Sequence, residues 1–327
     1  MIDMVYANAP LHPDALKIIA TLKENNVPEW YTLGPVRARE VYDARTKLFA
    51  NIRTAVGHVV DRVIDGPGGD LRVRLYYPEP AVADADPQLL PALLYLHGGG
   101  WVLGNLESHD ELCRRLCAAT DAVVLAVEYR LAPEHPFPAP LDDCAAAFGW
   151  LADSAQELGV DPTRIAVGGD SAGGNLSAGL CVWVRDHGGP KLAAQILLYP
   201  AIVPQWENLS YYENAYGKFI SRADCRWFWE NYLGATPSNN PYAAPGTAEL
   251  AGLPPALIIT AGHDPLRDDG EIYGHQLDEA GNDVTIRRYG GMMHGFLGIP
   301  VQIEDARDAI AAIVSTLHLA WNGTEGN

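Results

Sequence analysis

The chain has 327 residues and carries 41 acidic against 23 basic side chains, a formal charge of -18. That balance, with a pI near 4.8, argues against nucleic acid or an anionic membrane surface as a partner, since both need clustered Lys and Arg. A hydrophobic content of 48% is enough for a real core and excludes a mostly disordered chain. Residues 13–26 and 35–52 read as two helices, with Pro13 and Pro35 at their first turns and Leu16, Ile19 and Leu22 at helical spacing. The period then changes. VVDRVID, GPGG and DLRVRLYYP read as a hairpin, in which Leu71, Val73 and Leu75 alternate with Arg72, Arg74 and Tyr76 as in a half-buried strand. The Pro- and Asp-rich PAVADADPQLLP that follows reads as an exposed loop.

From residue 91 short apolar runs alternate with helical stretches: ALLYLHGGG, AVVLAVEYR, RIAVGGDS, AAQILLYP, PALIITAG and DVTIRRY are the strands. Continuous apolar runs mean strands covered on both faces, and their alternation with helices means a mostly parallel central sheet. One region breaks the pattern. Residues 204–245 hold nine aromatics between Trp206 and Tyr232. They read as an inserted helical segment that joins the N-terminal helices in a lid, the alternative being a satellite core under a long loop. The expected organisation is N-terminal helices contributing to a cap (1–55), a core in two parts (56–203 and 246–321), a cap insertion (204–245) and a disordered tail (322–327).

No stretch reaches the roughly 18 apolar residues of a membrane helix. The start, MIDMVYANAPLHPDALK, lacks a basic segment followed by an apolar one, so a cytoplasmic protein is expected. Five scattered cysteines make no disulfide framework.

Gly169-Asp170-Ser171-Ala172-Gly173 lies between the apolar run RIAV and the helical stretch NLSAGLCVWVRD. In that setting G-x-S-x-G reads as a nucleophile elbow, whose sharp turn requires neighbours without bulk and lifts the serine hydroxyl above the sheet. The alternative, a phosphate-holding turn, lacks the Rossmann spacing and a Walker lysine. His97-Gly98-Gly99-Gly100-Trp101 follows the strand ALLYL, and its three glycines leave backbone N–H groups free to face a developing oxyanion. His97 itself reads as structural.

A serine nucleophile needs a base. His294, in the glycine-flanked loop GGMMHGF after the last strand, is the candidate, with His263 and His275 as runners-up. The acid that orients it is expected after the preceding strand, where ALIITAGHDPLRDDG supplies Asp264; Asp268 and Asp269 are the alternatives and read more simply as acids of the next helix's first turn. The order Ser…Asp…His supports the set. His109, Cys113 and Cys117 share one helix face, but a zinc site needs further ligands, and two buried thiols are the simpler reading.

HGGGW, YRLAPEHPFPA (129–139), GDSAGGN (169–175), DPLRDDG (264–270) and GMMHGF (291–296) occur in order over residues 90–296. In these the chain resembles the bacterial hormone-sensitive lipase family of α/β-hydrolase esterases. The resemblance implies an α/β-hydrolase fold with a helical cap and a serine esterase of small or medium acyl esters without cofactor or metal. It also implies a nucleophile at Ser171, an acid at Asp264, a base at His294, and oxyanion donors at the N–H groups of Gly99, Gly100 and Ala172. Asp269 departs from the pattern, standing where many members have Glu. Pro133, Pro136 and Pro138 give YRLAPEHPFPA a scaffold role, with no catalysis assigned to Glu134 or His135. The same constellation would also serve amides, carbamates or lactones. A receptor that keeps the pocket would lack the base, and His294 is present. A small-molecule ester is thus the expected partner, and a homodimer is allowed.

Overall fold

Strands that are apolar on both sides need a helical layer on each face of the sheet, and the computed structural model has that arrangement over the residues it describes, 9–24, 28–47, 52–79, 89–216, 218–299 and 303–323. The hairpin β1 (His58–Gly66) and β2 (Gly69–Tyr77) is followed by β3 (Leu90–Leu96), β4 (Val123–Val127), β5 (Val160–Asp170), β6 (Gln195–Leu198), β7 (Ala256–His263) and β8 (Val284–Met293). They form one sheet in the order β1-β2-β4-β3-β5-β6-β7-β8. The pairs β1–β2 and β2–β4 are antiparallel, and all others are parallel.

Side chains alternate across the pleat. Leu94 and Leu96 of β3 therefore join the core shared with α4 (Ala139–Asp153), α5 (Ala172–His187) and α8 (Arg267–Glu279). Leu93 and Tyr95 join the opposite core, with α3 (Asp110–Thr120) and α9 (Glu304–Asn322). The chain leaves β3 for β4 on one side and then returns to place β5 on the other. This reversal opens a crevice at the carboxyl ends of β3 and β5, where α/β sheets bind their ligands.

Two departures from the sequence reading are instructive. The second N-terminal helix, α2, spans Gly34–Lys47 rather than reaching residue 52, and α1 spans Pro13–Glu24. Residues 25–27 and 48–51 lie outside the described residues. In β2 the expected outward face is open to water only at Arg72: Arg74 and Tyr76, further along the strand, are buried. The start of α3 and the segment leading into it cover them. Arg74 is paired with Asp61, Glu107 and Asp110 at 2.6, 2.7 and 3.4 Å, and the Tyr76 hydroxyl donates to Asp110. The carboxyl half of this alternating strand is thus buried on its second face too, where ion pairs that the spacing of one strand cannot reveal satisfy Arg74. Residues 80–88 of the expected exposed loop, and 324–327 of the expected tail, also lie outside the described residues.

The N-terminal helices are anchored to the sheet. Arg39 of α2 holds Glu134 with both guanidinium nitrogens at 2.9 and 2.6 Å and donates to the carbonyls of Val102 and Ala132. α1 packs Ala15 and Ile19 on Met293, and the His12 N–H bonds the Gly291 carbonyl at 2.8 Å. The insertion carries α6 (Leu209–Glu213) and α7 (Arg222–Leu233). Its aromatics pack inward: Tyr232 stacks on Trp101 at 4.2 Å between centroids, and Trp229 lies tilted against the same ring at 4.5 Å. Asp224 caps α7 through Ser221 and accepts the Tyr31 N–H, linking the insertion to the N-terminal segment.

Removing the forked contacts of Arg39 should detach α2. Arg39→Ala is expected to lower unfolding stability by about 1.5–3 kcal/mol, the range for hydrogen bonds to a charged group. Arg39→Lys should recover only part, because a lysine cannot reproduce the planar fork. Urea titration of the three proteins measures both effects; equal midpoints would mean that α2 is held by packing alone.

Candidate active site

The carboxyl ends of β3, β5, β7 and β8 converge on one cavity of about 370 Å³, lined among others by Gly99, Gly100, Ser171, Ala172 and His294. β5 ends at Asp170 and α5 starts at Ala172, so a single residue makes the turn. Ser171 does so at φ 57°, ψ -116°, a backbone region costly for any residue with a side chain. The turn also needs glycine beside it. A Cβ on Gly173 would lie 1.8 Å from the Leu96 carbonyl oxygen, and one on Gly169 would lie 2.4 Å from the same atom. These glycines let α5 press directly on the end of β3.

The Ser171 hydroxyl faces His294: Oγ and Nε2 are 2.9 Å apart. The other ring nitrogen, Nδ1, is 2.7 Å from Asp264 Oδ2. Asp264 has no solvent exposure, and its second oxygen accepts the Leu266 N–H at 2.8 Å. Tyr199 lies edge-on to the His294 ring, with centroids 5.0 Å apart, and fixes its plane from the side.

The glycine loop after β3 approaches the same serine. Gly99 and Gly100 hold φ values of 115° and 60°, the conformations that glycine permits. Among the described residues their N–H groups donate to no protein acceptor. Ala172 begins α5, so its N–H is one of the four that helix geometry leaves unpaired. The three expected donors and the three expected reacting side chains therefore lie in one cavity or directly behind its wall.

The runners-up are placed elsewhere. His263 bonds the Ala9 carbonyl at 3.0 Å and lies 3.2 Å from Lys218, and His275 sits within α8; neither lines the cavity. Asp268 and Asp269 do occupy the first turn of α8, but they also bind the insertion. Asp268 accepts the Ser210 N–H at 2.8 Å. Asp269 accepts Asn208 at 2.7 Å and the Tyr211 hydroxyl at 2.9 Å. His97 is buried, stacked on Tyr129 at 4.2 Å, and burial followed by the neighbouring His109 lowers its pKa to about 3, so it is neutral in the folded protein. Cys113 and Cys117 are buried in the core on the α3 face. His109 caps that helix and turns its ring towards Asp170 rather than towards the thiols.

Asp170 is the residue that sequence reasoning passed over. Its buried carboxylate accepts the Tyr95 hydroxyl at 2.7 Å and the Gly98 N–H at 3.0 Å, and His109 Nε2 lies 3.4 Å from it. It thus ties the residue before Ser171 to the glycine loop. The signal available was an acid inside an elbow that otherwise needs small residues. Burial alone would raise its pKa, but His109 and the Tyr95 hydroxyl outweigh burial and hold it down at about 2. A folded-state pKa below the ordinary value of about 3.9 stabilises the protein fully above that value and ceases to do so as pH falls towards 2. Asp170→Asn should therefore be less stable than the parent at pH 7, with the deficit shrinking from about pH 4 downwards. Denaturant titrations at a series of pH values check this; a deficit constant down to the lowest pH would assign the loss to geometry instead of charge.

A profile of the family described as alpha/beta hydrolase fold matches residues 93–298. "Esterase LipI" of Mycobacterium tuberculosis is 42% identical over 267 residues, which cover 80% of this chain and 82% of that protein. "Carboxylesterase NlhH" of the same species is 44% identical over 258 residues, covering 76% and 79% of the two chains. Among solved structures, the hyperthermophilic esterase from the archaeon Pyrobaculum calidifontis superposes with a TM-score of 0.88 at 38% identity, over 94% of this chain and 98% of that one. With the motifs in order, the sheet order and these similarities together, the chain belongs to the α/β-hydrolase esterases of the hormone-sensitive lipase-like family.

Proposed function

We propose that the protein is a serine carboxylesterase that cleaves short to medium acyl esters through an acyl-enzyme, with Ser171 as nucleophile, His294 as base and Asp264 as orienting acid. The observation that carries this reading is the unbroken chain Asp264–His294–Ser171, with contacts of 2.7 and 2.9 Å, whose serine and imidazole line a cavity also lined by Gly99, Gly100 and Ala172. His294 takes the Ser171 proton as the oxygen attacks the ester carbonyl. The N–H groups of Gly99, Gly100 and Ala172 hold the oxyanion, whose charge develops only as the tetrahedral species forms. The imidazolium then gives its proton to the leaving alkoxide, and the alcohol departs. Water, deprotonated by the same imidazole, attacks the acyl-serine and releases the acid with the serine restored. Asp264 keeps Nδ1 protonated, so Nε2 remains the acceptor.

The cap in this reading is formed by residues 1–55 and 204–245, over a core of 56–203 and 246–321. Trp30 and Tyr42 from the first part, with Phe219 and Phe228 from the second, wall the cavity above Ser171. A pocket of limited length suits a soluble ester better than an emulsified triglyceride, which requires a large apolar docking surface; the mean hydropathy is -0.05. No helix among the described residues is long and apolar enough to cross a membrane. The five cysteines are free and buried, which fits a reducing cytoplasm as the place of action.

A fluorophosphonate should label the native protein at one site and fail to label Ser171→Ala. The same substitution should reduce ester hydrolysis by several powers of ten while leaving the melting temperature nearly unchanged. Labelling that survives the substitution would move the nucleophile elsewhere. Across p-nitrophenyl esters of rising acyl length, each CH₂ should add at most about 0.8 kcal/mol until the pocket is full, after which kcat/KM should turn down. A profile that climbs to the longest ester, with a jump above the solubility limit, would indicate interfacial activation and contradict a pocket of limited length.

A further inference from the structure

The cavity around Ser171 is not uniformly apolar. Its insertion side is walled by Phe219, Ile220, Phe228 and Trp229, whereas its N-terminal side carries charge. Each carboxylate of that charged wall already has partners. Glu107 pairs with Arg74 at 2.7 Å. Asp110 pairs with Arg114 at 2.8 Å and with Arg74 and Arg53 at longer range. Glu111 accepts both the backbone and the hydroxyl of Thr54 at 2.7 Å, and Asp170 is bound as described above.

The cations are not equally settled. Arg53 has Asp110 at 3.7 Å, and Lys47 is exposed to water. Arg45 is half-buried in the wall and, among the described residues, forms neither an ion pair nor a hydrogen bond. Its guanidinium lies between two rings, 5.4 Å from the Trp30 centroid and 4.9 Å from that of Phe219. The ring faces attract the cation but accept none of its N–H groups, which match a carboxylate bidentately and have no acceptor among the described residues. Burial pulls its pKa down, as for a cation held away from water without a counter-charge. The site is close to the chemistry: the Phe219 ring that Arg45 covers comes within 3.3 Å of where Gly295 would carry a Cβ, next to His294.

We propose that Arg45 is the seat for a carboxylate on the substrate, so that the preferred ester carries an anionic group on its acyl or its alcohol part. This rests on the esterase reading for the word ester, but the seat itself does not depend on turnover. The chain's net negative charge does not oppose it, because exposed charges are screened over about 8 Å in physiological salt, while a guanidinium inside the cavity acts at contact distance.

The test separates the two readings by measuring binding without catalysis. Ser171→Ala protein is titrated calorimetrically with monomethyl glutarate against methyl pentanoate, and with 4-acetoxybutanoate against butyl acetate. The first pair places the carboxylate on the acyl side and the second on the alcohol side. At least one anionic member should bind about tenfold or more tightly than its neutral partner, the scale of a hydrogen-bonded charge pair. In Ser171→Ala/Arg45→Met that ratio should fall below about threefold, and Arg45→Lys should restore part of it. In active protein the ratio of kcat/KM for the same pairs should follow the binding ratio. No anionic preference in either pair, or a preference unchanged by both Arg45→Met and Arg45→Gln, overturns the proposal and assigns Arg45 to holding Trp30 and Phe219 together. An anionic preference in binding without turnover of any ester by the active protein would sustain the seat and reject the esterase reading.

Discussion

The close approach of α5 to the end of β3 is the constraint on which the site depends. The Leu96 carbonyl occupies the space where Gly173 or Gly169 would carry a side chain. Only this contact allows a one-residue turn, and that turn puts Ser171 into a φ of 57°. The unfavourable conformation persists because neighbours fix it from several directions. The Ser171 N–H bonds the Leu198 carbonyl at 2.8 Å, and the Ser171 carbonyl accepts from Asn175 and Ala201 at 3.1 and 3.2 Å. Strain held in this way belongs to a rigid scaffold. In the proposed mechanism it orients the hydroxyl in advance, so that attack on a carbonyl would need no reorganisation of the serine.

Much of this was legible in the amino-acid sequence because the signals are local. Apolar runs of strand length alternating with helices specify a sheet covered on both sides, and each side chain of Asp264–His294–Ser171 lies directly after a recognisable strand. Glycine clusters marked the two places where backbone must come close to something else. What escaped the reading is non-local. Arg74 and Tyr76 look like the wet face of a strand until Asp110 and Glu107 arrive from a segment more distant in the chain. Asp268 and Asp269 look like ordinary first-turn acids, and only the fold shows that Ser210, Asn208 and Tyr211 bind to them.

The two segments that cover the cavity are secured by polar contacts as well as by apolar packing. Arg39 reaches Glu134 and two carbonyls on the loops beside Gly99 and Gly100. The acids of α8 hold the other segment a few residues beyond Asp264. YRLAPEHPFPA is therefore more than a rigid connector: its Glu134 is a dock for the N-terminal helix, and the Tyr129 hydroxyl donates to the His97 carbonyl at 2.7 Å. Each of these segments is thus tied to a stretch that also positions a residue of the Asp264–His294–Ser171 cluster or of the glycine loop beside it. Movement of either segment would be felt at the site through a short chain of directional bonds.

Two buried aspartates flank the serine, and their partners decide what each can do. Asp170 precedes Ser171 in the chain, yet its oxygens face Tyr95, Gly98 and His109, on the side of the glycine loop. With those donors in place it has no oxygen directed at His294. Asp264 arrives from a different strand, gives one oxygen to the Leu266 N–H and leaves the other for the imidazole. The division follows from topology. β5 can carry only one side chain upward at the elbow, and the serine takes it, so the adjacent carboxylate is turned under the loop. The acid that addresses the imidazole must then come from β7, beyond β6 in the sheet, with the imidazole supplied by the loop after β8. Sequence order Ser…Asp…His is the chain's record of that spatial requirement.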